Sequence, residues 1–277
     1  MRSRRDDAVP ITVVIPTRNR PAAALRAATS ILAGAYPALR LLVVDQSDDD
    51  ATRALLRPLA RDPRVTLVAA PARGVAAARN LGIARSDTAL VAFTDDDCEA
   101  TPAWLDAIAA AFAADAGVGM VFGTVDAAPY DRGRGFIPAY RAPRAFTADT
   151  LAQKPAIEGI GANMAVRRAT WEAVGGFDEL LGTGGPLRAG EEADLAIRML
   201  AAGHKVQVTP AAVVVHHGFR RWDEADATID GYMTGLGAAN AKMLRLGGVR
   251  ALRPLAALAW RWLAAGPVVD LNHRPPR

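Results

Sequence analysis

Three short apolar runs that each stop at a polar or acidic cluster constrain this chain more than any other feature. Ile11 to Ile15 runs into Pro16, Thr17, Arg18 and Asn19; Leu41 to Val44 runs into Asp45, Gln46 and Ser47 to Asp50; Leu90 to Phe93 runs into Asp95, Asp96 and Asp97. A fourth run, Val65 to Val68, lies between the last two. Runs of this length and apolar content are expected to be strands buried on both faces. Helical stretches are expected between them at Pro21 to Leu32, Ala51 to Ala60 and Gly74 to Arg85. Such alternation calls for parallel pairing through crossover helices, and so for a doubly wound, mostly parallel α/β sheet. In that class ligands sit at the carboxyl ends of the strands, where all three polar clusters fall.

Adjacent carboxylates repel one another, and a divalent cation with a taste for hard oxygen ligands, Mg²⁺ or Mn²⁺, relieves that repulsion. The plain alternative for Asp95, Asp96 and Asp97 is a solvated acidic turn that opens the next helix, with Thr101 as N-cap and Pro102 at its first position. No G-x-G-x-x-G follows the first strand and no G-x-x-x-x-G-K-[ST] occurs, so neither a dinucleotide fold nor a P-loop is supported. At 277 residues, 51% hydrophobic and 22% charged, the chain has enough material for one large α/β domain or two small ones. Its single cysteine, Cys98, excludes a disulfide framework and a cysteine-based zinc cluster; it reads as a small packed residue in a reducing compartment. The charged start has no signal-peptide h-region and no run of eighteen apolar residues occurs, so a cytoplasmic protein is expected. Nucleic acid is not among the expected partners.

Farther along, Pro102 to Ala113 reads as a helix with a core stripe of Trp104, Leu105, Ile108 and Phe112. Val118 to Phe122 reads as a strand, and Asp126 to Pro155 as a long aromatic- and arginine-bearing loop on the acceptor side. A strand is expected at Asn163 to Val166, a short helix at Arg168 to Val174, a helix from Glu191 to about Ala202, and two strands at Val206 to Val208 and Val213 to Val215. After Gly218, helices are expected over 226–246 and 250–265, then a disordered tail over 272–277. The last helix sets Leu252, Leu255, Leu258 and Trp262 opposite Arg250, Arg253 and Arg261. That pattern fits packing on the domain, or peripheral contact with the inner face of an anionic membrane.

The segments IPTRNR, VVDQS, RGVAAARNLGIA, FTDDD and NMAVRRATWEAVGGFDE, in that order, resemble the inverting family-2 glycosyltransferases of the GT-A fold, from about residue 11 to 217. The resemblance implies a catalytic domain over 1–217, with a nucleotide-sugar half at about 9–123 and an acceptor half at about 124–217, followed by a helical extension over 218–277. It implies a nucleoside diphosphate sugar donor, by default UDP-linked with dTDP or GDP as alternatives, and a hydroxyl acceptor on a glycan, a lipid-linked sugar or a small molecule. Asp45 falls where the family contacts the base, while Gln46 departs from a second acid common there. Pro16, Thr17, Arg18, Arg73, Arg79, Asp95 and Asp96 fall on the nucleotide-sugar side. Asp97 and Asp95 of the DxD motif, with His216 in preference to His217, fall where the family holds Mn²⁺ or Mg²⁺. Arg79 and Asn80 share a helix and face either the phosphates or solvent.

The family places its catalytic base at the start of the helix beginning GEEAD, which falls on Glu192; members commonly carry aspartate there, and Glu191 and Asp194 stay open as alternatives. A base is needed because an acceptor hydroxyl is a poor nucleophile near neutral pH. Asn163, Asp178, Glu191 and Asp194 are the expected acceptor or sugar contacts. Three rivals remain. A sugar nucleotidyltransferase would want a glycine- and arginine-rich loop after the first strand, and an aspartyl phosphohydrolase would place its aspartates after an early strand. A glycosyltransferase-like nucleotide- or glycan-binding module without catalysis is favoured only by glutamate at 192.

Overall fold

All seven residues of Ile11–Thr17 (β1) are buried, as they must be in a strand covered on both faces. The computed structural model describes residues 8–71 and 73–265, without the side chains of 250 and 261–265. β1 pairs in parallel with Leu39–Asp45 (β2), β2 with Val65–Ala69 (β3), and β1 on its other side with Leu90–Thr94 (β4). Pro21–Leu32 (α1), Ala51–Leu56 (α2) and Val75–Arg85 (α3) make the crossovers. There follow Cys98–Ala100 (β5), Trp104–Ala114 (α4), Val118–Ala127 (β6), Gly135–Phe136 (β7), Phe146–Ala148 (β8), Asn163–Arg167 (β9), Arg168–Ala173 (α5), Glu191–Ala201 (α6) and Lys205–His216 (β10). Arg220–Arg221 (β11), Ala225–Gly247 (α7) and Leu252–Ala265 (α8) are the last elements among the described residues.

Among the described residues, nine strands form one sheet in the order β3-β2-β1-β4-β9-β6-β10-β5, with β8 also on β10. β9 runs antiparallel between β4 and β6, and β5 and β8 run antiparallel to β10, so the sheet is mixed but mostly parallel. Register sets the site. Thr17 lies opposite Asp45, Asp45 opposite Ala69, and His216 opposite Cys98, so the ends of β1, β2, β3 and β10 share one edge with the turn after β4.

The sheet divides two cores. Ile11, Val13, Ile15, Leu41 and Val43 pack with Ala24, Ala28 and Ile31 of α1 and Trp104 and Ile108 of α4. Val14, Leu42, Val44 and Phe93 point the other way, to Ala76 and Ile83 of α3 and Leu195 and Met199 of α6. That alternation is the two-residue period of a strand, and burying a side chain such as Ile108 or Phe93 contributes roughly 1.5–3 kcal/mol. α3 lies flat on β1 because residue 82 is glycine; a Cβ there would overlap the Val14 side chain.

Several expectations are corrected. α2 stops at Leu56, and a separate 3-10 turn covers Leu59–Arg61, because Pro58 has no N–H to continue the helix. Thr101 does not cap α4: its hydroxyl donates to the Val213 carbonyl, Ala103 is the N-cap, and β5 intervenes between the acidic turn and the helix. The two strands expected near 206 and 213 are one strand, β10, with an irregularity between Val208 and Val213. Gly123 makes room for it, since a Cβ there would meet the Ala212 carbonyl and the Asn163 amide. β6 runs on to Ala127, and the segment 126–155 is ordered rather than a plain loop: β8 joins the sheet, Tyr140 bridges to Val125, and Arg141 forks onto Asp126. α8 starts at Leu252 and packs Leu255 and Leu258 with Ile197 and Met243, while Leu252 faces outward. The Trp262 and Arg261 side chains and the tail over 272–277 lie outside the described residues.

Candidate active site

The turn after β4 is the centre of the site. It is pinned from two directions, by the His217 amide donating to the Asp97 carbonyl at 2.8 Å and by Thr17 Oγ1 donating to Asp96 Oδ2 at 2.7 Å. His216, last residue of β10, brings Nε2 to 3.2 Å from Asp97 Oδ1. Its other ring nitrogen lies 2.7 Å from the Pro138 carbonyl. A carbonyl only accepts, so Nδ1 carries a proton. Burial works to lower the ring's pKa, but the hydrogen bond and charge of Asp97 outweigh it and raise it. Without a cation Nε2 therefore also holds a proton and donates it to Asp97, and a cation would take that proton's place. Gly218 keeps the space over this pair open, because a Cβ there would stand 2.8 Å from Asp97 Oδ2 and closer still to His216 Nε2.

A divalent cation fits these residues. Among the described residues, Asp97, Cys98 and His216 form the group whose donor atoms lie within 4.8 Å of one another. Burial pushes the Cys98 thiol well up, so it stays protonated and the hard carboxylate and imidazole remain as donors, a set suited to Mn²⁺ or Mg²⁺. Burial also works to raise Asp97, but the hydrogen bond and charge of His216, with Arg20 nearby, outweigh it and hold Asp97 down at about 2. Asp96 moves the other way: burial pushes it up to about 6, against the Thr17 bond and the Arg20 charge. Asp95 stands outside the close group and turns to Arg79.

Arg79 joins the two carboxylate clusters. Only 1% exposed, it donates from Nη1 to Glu191 Oε1 at 2.5 Å and from Nη2 to Asp95 Oδ1 at 3.1 Å and the Gly161 carbonyl at 3.0 Å. It therefore faces carboxylates, not solvent. Asn80, one residue on, turns away and clamps Phe177 through its amide. Glu192 follows Glu191 in the first turn of α6, where the helix dipole favours negative charge. Burial and then the neighbouring Glu191 charge push Glu192 up to about 8, with Arg79 opposing.

The remaining expected residues scatter. Asp45 is buried and accepts from the Ser47 amide, and Pro16 lies on β1 opposite the preceding Val44, while Arg18 and Arg73 share Asp48 at the exposed rim. Asp194 pairs with Arg198 and Lys242, and Asp178 with Lys242, so both are taken up in ion pairs apart from Arg79. Asn163 is fully engaged inside the fold: it donates to the Thr124 and Ala212 carbonyls and accepts from Trp104 Nε1. Three participants escaped the sequence reading. Arg20 bridges Asp96 at 3.1 Å and Asp97 at 2.9 Å, and its place just before Pro21 at the same sheet edge was the available signal. Gly218 carried no signal at all. Tyr232 of α7 has its hydroxyl pushed up, first by burial and then by the charges of Glu192, Asp95 and Glu191 around it, against Arg220.

A mixed sheet with covered faces and an acid and histidine cluster at its carboxyl edge is the GT-A architecture. The chain belongs to glycosyl transferase family 2, whose pattern matches residues 12–174. It is 29% identical over 221 residues to a pre-mycofactocin glycosyltransferase of Mycobacterium tuberculosis, covering 74% of this chain and 42% of that one. It is 28% identical over 202 residues to glycosyltransferase AglE of Haloferax volcanii, covering 71% of this chain and 65% of that one. The chain thus spans less than half of the first relative and about two thirds of the second. In fold it is similar to the mannosyltransferase PcManGT from Pyrobaculum calidifontis in complex with GDP-Man and Mn²⁺, at TM-score 0.58 and 23% identity over 94% of this chain and 79% of that one. S. aureus TarS 1–349 is similar at TM-score 0.64 and 15% identity, over 97% of this chain and 76% of that one.

Proposed function

We propose that this chain is a metal-dependent inverting glycosyltransferase, moving a sugar from a nucleoside diphosphate sugar, UDP-linked, to a hydroxyl of a saccharide, lipid-linked or small-molecule acceptor. The carrying observation is the open Asp97–His216 pair under Gly218, joined through Asp95 and Arg79 to the carboxylates that open α6. Asp97 and His216 would hold the cation, which when bound supplies Lewis-acid stabilisation to the departing diphosphate. Asp45 and the rim arginines Arg18 and Arg73 bound the nucleotide end of the same edge. Arg79 holds Glu191 and thereby the first turn of α6, which presents Glu192 as the base. The acceptor oxygen bonds to the anomeric carbon as the bond to the diphosphate oxygen breaks, its proton passes to Glu192, and a single displacement inverts the configuration. In this reading residues 1–217 are the catalytic unit, and α7 of the 218–277 extension closes against it, with Gly235 meeting the backbone at Ala189 and Gly190.

A thermal-shift panel of UDP, GDP, dTDP, CMP and NAD, each with Mn²⁺, Mg²⁺ or chelator, tests it. A nucleoside diphosphate at a hundred times its dissociation constant stabilises by about 2.7 kcal/mol. The expected result is a shift with UDP that needs the cation; a shift with GDP instead moves the donor assignment and keeps the transferase. No shift with any nucleoside diphosphate, in a protein that still unfolds cooperatively, overturns the reading in favour of a non-catalytic module.

A further inference from the structure

α8 has two unlike sides. Its inner side, Leu255 and Leu258, packs with Ile197, Ala239 and Met243, as does Ala251 of the turn just before it. Its outer arc carries Leu252 and Trp260, 56% and 71% exposed, separated by exposed alanines and flanked by Arg253. The last turns of α7 expose Leu244 and Leu246, and the turn between the helices exposes Val249, the last at 82%. Five of the ten exposed large hydrophobic residues among the described residues fall between 244 and 260, a concentration in one short stretch rather than the ordinary scatter. A helix face turned to water is normally polar.

Charge says what covers it. From Asn240 to Ala265 the sequence has no aspartate or glutamate and five basic residues, against a net charge of +4 for the whole chain. Lys242 is taken up by Asp178 and Asp194, but apolar anchors, an exposed tryptophan and the cations Arg245 and Arg253 together match the headgroup layer of an anionic bilayer. No described helix is long and apolar enough to cross a membrane. We propose that the outward face of the α7–α8 hairpin, Leu244 to Trp260, is a docking surface on which the protein lies against an anionic phospholipid bilayer. The surface is independent of the transferase reading, and its test needs neither donor nor acceptor.

The test is co-sedimentation of the full chain with vesicles of phosphatidylcholine alone and of phosphatidylcholine with phosphatidylglycerol. Binding to the mixed vesicles, weakened in high salt and by roughly tenfold or more in the double variant Leu252→Ser, Trp260→Ser, is expected. Both side chains point outward, so the variant should keep the parent's thermal unfolding, and Arg245→Glu with Arg253→Glu gives a second variant that leaves the apolar face intact. Failure to bind the mixed vesicles overturns the proposal, as does equal binding by parent and both variants. A dimer on gel filtration that the double variant renders monomeric, without vesicle binding by either, assigns the face to a second copy of the chain and overturns it too.

Discussion

Placing a single methyl group at residue 218 should abolish tight cation binding and leave the fold intact. The Cβ of Gly218→Ala would stand 2.8 Å from Asp97 Oδ2 and 2.9 Å from His216 Cε1, whereas ordinary van der Waals contact begins near 3.4 Å. The carboxylate must retreat by about half an ångström and the ring, whose Nε2 is closer still, by about one, while metal–ligand distances tolerate only about 0.2 Å. His216 cannot simply rotate, because its Nδ1–H is held by the Pro138 carbonyl. A loss of roughly 10–100-fold in Mn²⁺ affinity is expected, about 1.4–2.7 kcal/mol. Gly218 is not among the glycines with positive φ, so alanine brings no backbone strain to confuse the result. Calorimetric titration with Mn²⁺ in the absence of nucleotide reads the affinity, and thermal unfolding in chelator checks the fold. Gly237→Ala, where a Cβ meets nothing within 4 Å on α7, is the control: unchanged Mn²⁺ affinity and a gain of up to about 1 kcal/mol in stability. A Gly218→Ala protein that binds Mn²⁺ within twofold of the parent would refute the placement of the cation between Asp97 and His216.

Glu192→Gln should keep donor affinity while transfer falls by roughly 10²–10⁴, measured as kcat against nucleotide Kd. Because Glu192 is raised to about 8 and must be ionised to accept a proton, kcat/KM should climb with pH through that region; a profile flat from pH 6 to 9 would count against it. Arg79→Met leaves two carboxylates without their buried cation and should cost about 3–5 kcal/mol in urea unfolding at neutral pH, partly regained on adding Glu191→Gln; a loss below about 1 kcal/mol would show that the bridge does not hold the site together. Asn163→Ala strands the Thr124 and Ala212 carbonyls and the Trp104 N–H, at roughly 1–3 kcal/mol for each group that stays dry, and an unchanged unfolding midpoint would argue that water replaces the amide.

The sequence by itself determined the strands β1 to β4 and the edge on which their polar ends gather, because hydrophobic runs and their stops are local properties and parallel pairing follows from crossover spacing. It also placed Asp97 and His216 by resemblance, and the helix that begins at Glu191. The extent of β6 and β10, the antiparallel insertion of β9 between β4 and β6, and the order within 126–155 depend on pairing between segments far apart in the chain, which no local pattern encodes. The same holds for the chemistry. Arg79 reads from the sequence as a helix residue facing the phosphates or solvent, and only tertiary packing shows it buried between Asp95 and Glu191. Asn163 reads as a ligand contact, and packing engages its amide with Thr124, Ala212 and Trp104 instead. Gly218 is silent in the sequence because its contribution is the space above Asp97 and His216. That space exists only once β5 and β10 have brought 98 and 216 side by side in the sheet, since a void is a relation between distant atoms and has no local signature.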